Sequence, residues 1–260
     1  MTIDTSLLSR AARNARPSLV AVAAMAPVSL LVLYLWSTSS PHAMHGAGAA
    51  TLTRLVVFLA AWMLMTAAMM LPSAMPLLAS LDRMARNQPR PHGIPLFAAL
   101  AYLGVWGLVG IAVWGTSVAA AAYFLPRASP NVVSALAGAC LVLAGVYGLS
   151  PLAGACLRAC RRPFGFLARY WTGGSSARLQ ATRIGAAYGV SCVGCCVPMI
   201  GIMFVVGMAN MAIVIAMGVV MVVMKTSAIG TRVAHLLSIA LIVAGVAIGF
   251  GWLPFVPAHH

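Results

Sequence analysis

The chain has no glutamate, and the only acidic residues among its 260 are Asp4 and Asp82. Neither aspartate falls in an apolar run. Paired-carboxylate hydrolysis and ion-coupled transport through a buried carboxylate relay are therefore disfavoured. Histidine is scarce too: His235 is the only one of six inside an apolar run, near its start, which gives haem little to hold it. No Ser–His–Asp set and no phosphate-binding glycine loop lies within those runs. Short alternating segments of the kind a transmembrane barrel needs are missing as well. There is no repeat of fixed period and no stretch that reads as a soluble domain.

Apolar residues are what the chain has in excess: 62% are hydrophobic and only 7% charged. A soluble domain of this size cannot hide so much apolar surface, so the lipid bilayer is the expected solvent. In lipid every backbone amide must find its partner within its own segment, and the spans must be helical. The expected fold class is all-α, a polytopic membrane helix bundle forming one transmembrane domain over residues 1–260. About seven spans are legible, at residues 17–36, 54–80, 95–125, 131–150, 184–206, 209–224 and 233–253. The fifth and sixth share one apolar run, and Gly207-Met208-Ala209-Asn210 supplies the reversal between them. A cytoplasmic loop is expected over residues 151–183, with Gly173-Gly174-Ser175-Ser176 as a flexible connector.

The sixteen basic residues test that division. One side of the membrane receives Arg10, Arg13, Arg16, Arg83, Arg86 and Arg90, then six arginines of the 151–183 loop, then Lys225 and Arg232. The other side receives Arg54 and Arg127 only. This asymmetry places the N-terminus in the cytoplasm and the C-terminus outside, and fits the bacterial cytoplasmic (inner) membrane. It also explains the strong positive charge through topology and anionic lipid headgroups, without nucleic acid. The first apolar run is longer than a signal-peptide core and reads as a transmembrane helix.

Sulfur is concentrated in the fifth span. Residues spaced i, i+4, i+7 and i+11 share a helix face, and Gly185, Gly189, Cys192, Cys196, Met199 and Met203 follow that spacing. Cys195 lies on the adjoining face. The second span carries Met65 and Met69 one turn apart near its middle, followed by Pro72 and Pro76, which are expected to kink it. The sixth adds Met217, Met221 and Met224 on one face. Soft thiolates and thioethers select Cu(I), whereas zinc favours four ligands and often imidazole. Cys156 and Cys160 form a second pair at the cytoplasmic surface, where neighbouring arginines should favour thiolate. Candidate metal ligands are thus Cys192, Cys195, Cys196, Met199, Met203, Met65, Met69, Cys156 and Cys160, with copper as the metal. The His42-Ala43-Met44-His45 loop outside the membrane reads either as a capture point for copper or as a small flexible loop with chance histidines. Against these stands simple packing, since cysteine behaves as a small hydrophobe and methionine fills gaps in helix bundles.

Three patches resemble a bacterial family of predicted metal-binding integral membrane proteins, domain of unknown function 2182. They are Trp62-x2-Met65-x2-Ala68-Met69-Met70-Leu71-Pro72, then Tyr147-x3-Pro151-x4-Cys156-Leu157-x2-Cys160-Arg161-x-Pro163, then Gly189-x2-Cys192-Val193-Gly194-Cys195-Cys196 with Asn210 downstream. The resemblance implies metal binding in the membrane but no reaction. Tyr188 stands where members commonly carry histidine, and Met224 stands where a glutamate commonly precedes the lysine. Loss of both polar groups leaves an all-sulfur site and favours Cu(I).

The leading expectation is a protein that handles Cu(I) for transport, delivery or insertion, with a cuproenzyme or a larger membrane complex as partner. A membrane thiol–disulfide oxidoreductase using Cys192-x2-Cys195 is the alternative, and a structural or assembly subunit the third.

Overall fold

A computed structural model describes residues 28, 51–85, 93–124, 127–162, 164–172, 177–206 and 211–252. All regular structure among them is helical. The elements are α1 (Thr51–Ala85), α2 (Ile94–Ala119), α3 (Pro130–Leu149), α4 (Pro151–Arg161), α5 (Phe164–Tyr170), α6 (Ala177–Val206), α7 (Met211–Thr226) and α8 (Gly230–Gly249). A π-helical turn, Ala120–Phe124, extends α2.

Among the described residues, five helices are long and apolar enough to cross a membrane: α1, α2 with its π turn, α3, α6 and α8. That is the mark of a multi-pass membrane protein. The expected sixth span, residues 209–224, corresponds to α7, whose 16 residues extend about 24 Å at 1.5 Å per residue, short of the roughly 20 residues a bilayer core needs. The expected first span lies outside the described residues except Val28, as do the 207–210 reversal, the 173–176 connector and the 42–45 loop.

The expected loop at 151–183 is largely helical. Ser150 accepts a hydrogen bond from the Ala153 amide at 3.2 Å, and Pro151 follows at the first helical position. This capping arrangement ends α3 and starts α4 in one step. On α4 the buried residues Ala153, Leu157 and Cys160 share a face, while Arg158 is exposed. α6 begins at Ala177, seven residues before the expected boundary, because Arg178 and Arg183 are compatible with a helix that projects beyond the apolar zone.

α1 runs unbroken through Pro72 and Pro76 to Ala85. Asp82 is therefore inside this helix and fully buried, which corrects the expectation that no carboxylate lies within a span. The prolines remove the amides that would pair with the Ala68 and Pro72 carbonyls, yet the helix is long enough to continue past them.

α6 is the hub and packs against α2, α3, α4 and α5. Its approach to α2 is set by Gly185, where any Cβ would collide with the backbone carbonyl of Ala98. α3 meets α8 in the same manner, Gly138 lying against Gly245. Small residues at these crossings allow backbone contact that larger side chains forbid. α1 packs on α2 and α7, and so the inward faces of α1, α2, α4, α6 and α7 enclose one core. Outward positions such as Leu108, Leu143, Val190, Leu236 and Val243 are exposed apolar residues suited to acyl chains.

Candidate metal centre

The centre is built on α6. Cys192, Cys195, Cys196 and Met199 fall at i, i+3, i+4 and i+7 and are all buried. Opposite them α1 brings Met70, α7 brings Met221 and Lys225, α4 brings Cys160, and α2 brings Tyr102.

Cys192 Sγ, Cys196 Sγ and Met70 Sδ form an equilateral triangle, with each pair 4.0 Å apart. Two further sulfurs adjoin the Cys196 corner: Met221 Sδ at 4.0 Å and Cys195 Sγ at 3.9 Å. Cys195 also lies 3.9 Å from Cys160 Sγ and donates to the Cys192 carbonyl at 3.1 Å. The Cys160, Cys192 and Cys195 sulfurs lie within 4.8 Å of one another. All six cysteines are free thiols.

Polar groups fix one corner of the triangle. Lys225 Nζ is 3.0 Å from Cys192 Sγ, 3.1 Å from Ser73 Oγ and 3.9 Å from Met70 Sδ. The Tyr102 hydroxyl lies 3.0 Å from the same Cys192 sulfur. Lys225 is only 6% exposed, so it is no loop cation. It had been counted among the topological charges because it ends an apolar run. The signal was present nonetheless: Lys225 stands four residues after Met221, on the same face of α7, and an ionisable residue inside a bundle needs a partner.

Tyr188 stands at the position where the resemblance led to the expectation of a histidine. Its hydroxyl donates instead to the carbonyls of Ser73 at 3.2 Å and Cys160 at 3.3 Å. It thereby ties α1 to the end of α4 from the face of α6 that carries the thiols. Arg161 adds a second tie, donating to the Ser227 carbonyl at 2.6 Å just beyond Lys225.

The predicted ligands divide into three groups. Cys192, Cys195 and Cys196 come together, joined by Cys160 from what had looked like a separate pair. Met65, Met69, Met199 and Met203 line a small adjoining cavity that also touches Cys196 and Met70. Cys156 stands apart from the triangle, its sulfur against the bare backbone of Gly194. Met70 is not legible as a ligand from sequence because Met65 and Met69 share one face of α1 while Met70 lies on the next, and spacing alone does not say which face turns towards the α6 thiols.

The α4 thiols also differ from expectation in protonation. Burial pushes Cys156 upward, with nearby Cys195 adding to the effect. Sulfur contacts to Cys192 and Cys195, then burial, push Cys160 well above the ordinary thiol range. Arg158 and Arg162 are exposed, so their charges are screened by solvent, while desolvation acts on half-buried Cys156 and more strongly on buried Cys160.

A second cavity, of about 100 Å³, reaches Cys195 and Met199 from the side of Arg158, Thr231 and His235. Those three residues are exposed. The buried thiols thus communicate with the arginine-bearing end of the bundle.

A family model described as PpoB2, copper chaperone, matches residues 59–248. The chain belongs to this family. No curated protein matches the chain, and no solved structure does. The matched segment covers every residue of the sulfur cluster, from Met70 of α1 to Lys225 of α7. This PpoB2 family member carries a buried Cys/Met cluster inside an apolar helical bundle.

Proposed function

We propose that the protein holds one Cu(I) between Cys192, Cys196 and Met70 and passes it to a cuproprotein. The equilateral sulfur triangle carries this reading. The centre of such a triangle is about 2.3 Å from each corner, a typical metal–thiolate bond length. Two thiolates and a thioether suit a soft monovalent cation. Cys195, Cys160 and Met221 lie one sulfur–sulfur step away, positioned to exchange with a corner as the ion arrives or leaves.

Charge balance supports the same assignment. Two thiolates around Cu(I) leave one net negative charge in a medium of low dielectric, where an unpaired charge is costly. The Lys225 ammonium at 3.0 Å from Cys192 Sγ offsets it. A divalent ion would leave a net positive charge instead. The cavity beside Arg158 and His235 is the route by which the ion reaches Cys195.

The wider reading is a single transmembrane domain of about seven spans in the bacterial cytoplasmic membrane, with the N-terminus cytoplasmic. The motif resemblance to domain of unknown function 2182 is consistent with it, and a cuproenzyme or its membrane complex is the recipient. Purification under reducing conditions in mild detergent, followed by metal determination, tests the proposal. One copper per chain with no disulfide is expected. A metal-free protein with a reversible Cys192–Cys195 disulfide would replace this reading with thiol–disulfide exchange.

A further inference from the structure

The methionines beside the triangle leave a gap that they do not fill. Met65 and Met69 of α1 face Met199 and Met203 of α6 across a cavity of about 20 Å³. A cavity needs about 10–15 Å³ to admit one water-sized sphere, so a single atom fits. Methionine ordinarily closes such gaps, being the most adaptable core side chain. Water requires two to four polar partners. Against five thioethers, two indoles, Cys196 and Ile200, the lining offers it the Thr66 hydroxyl and the Trp106 N–H, which has no protein acceptor among the described residues. That is the bare minimum for a water. Cys196 and Met70 also line this cavity, and these same two residues form one edge of the sulfur triangle.

From this juxtaposition we infer that the thioether cavity is a second, weaker site for a soft monovalent cation, Cu(I) or Ag(I), next to the thiolate site. The inference rests on the triangle as the first site. The two sites share an edge, so an ion crosses by exchanging one ligand at a time: it keeps Cys196 and Met70 while Cys192 is replaced by a neighbouring thioether. No redox step is involved, and the Cys192 thiolate is left to pair with Lys225 or take a proton from solvent. Past that shared edge the ion rests on the thioethers of Met65, Met69, Met199 and Met203 alone, and a site of neutral ligands holds a cation less firmly than one with thiolates. The second site is thus suited to release, away from the arginine-bearing end where Cys195 receives the ion. The indoles add π faces that attract cations and provide a reporter.

Titration of the full chain in detergent with Ag(I), with no thiol reductant present, tests the inference through metal content and tryptophan fluorescence. Wild type is expected to take two ions per chain, with fluorescence quenched on binding of the second. Met65→Leu/Met203→Leu, a swap that conserves volume, is expected to lose the weaker ion and its quenching while retaining the tighter one. The independent pair Met69→Leu/Met199→Leu should behave in the same way and guards against misfolding of either variant. A variant with Cys160, Cys192, Cys195 and Cys196 all changed to Ser should keep one weak, quenching ion. Binding of a single ion by wild type, or a second ion that survives both methionine variants, overturns the thioether site and leaves the triangle standing. Binding of no ion by wild type overturns both.

Discussion

Cys192→Ser/Cys196→Ser protein is expected to lose nearly all of its copper. The double substitution removes two corners of the triangle and leaves Met70 as its only soft ligand. A hydroxyl is a hard, neutral donor at physiological pH and does not replace a thiolate for Cu(I). The loss should be specific to those positions. Cys140→Ser, in the separate cluster with Leu141 and Ile202, should retain full copper. Cys195→Ser should retain equilibrium copper but load more slowly, since Cys195 is the thiol that meets the larger cavity. Metal content of each variant, measured after identical purification and with helicity checked by circular dichroism, provides the comparison. Full copper in the double variant would remove the triangle as the binding site.

The second large effect concerns Lys225. Lys225→Met removes the ammonium beside Cys192 while keeping an unbranched side chain of similar length. Breaking one partner of a buried charge pair typically costs about 3–5 kcal/mol. At about 1.4 kcal/mol per tenfold, that weakens Cu(I) binding by roughly two to four orders of magnitude. Competition against a Cu(I) chelator of known affinity reads the change directly. The substitution should also reduce the preference for monovalent over divalent ions, because the positive charge that disfavours Zn²⁺ is gone. Unchanged copper affinity in Lys225→Met would show that the ammonium takes no part in balancing the site.

The sulfur stripe of α6 and the helical character of the bundle were legible in the sequence, because both depend on spacing within one segment. Cys192, Cys196 and Met199 share a face by helical geometry alone. What spacing does not contain is the rotation of one helix against the next. Met70 rather than Met69 meets the thiols because α1 and α6 approach at an angle set by their neighbours. Gly185 pressing against the Ala98 carbonyl sets how closely α6 meets α2, and α1 reaches the thiols from its seat on α2 and α7. Cys160 joined the cluster for a related reason: Ser150 and Pro151 turn the chain into a short helix that lies back on α6, where a loop had been expected.

Lys225 and Asp82 were misplaced by one shared rule. Charges at the ends of apolar runs were assigned to the membrane surface, but both helices carry theirs into the protein interior. For Lys225 the ligand sulfurs explain why burial is tolerated, since Cys192, Met70 and Ser73 surround its ammonium group. The same contacts make it part of the site and not of the topology.

X-ray absorption at the copper edge of the reduced, purified protein is the most direct test of the central claim. The account predicts Cu(I) with three sulfur neighbours at about 2.3 Å, the distance from the triangle's centre to its corners, and no nitrogen or oxygen in that shell. A shell containing nitrogen or oxygen ligands, or a protein purified without copper that takes up none when Cu(I) is supplied, would contradict it.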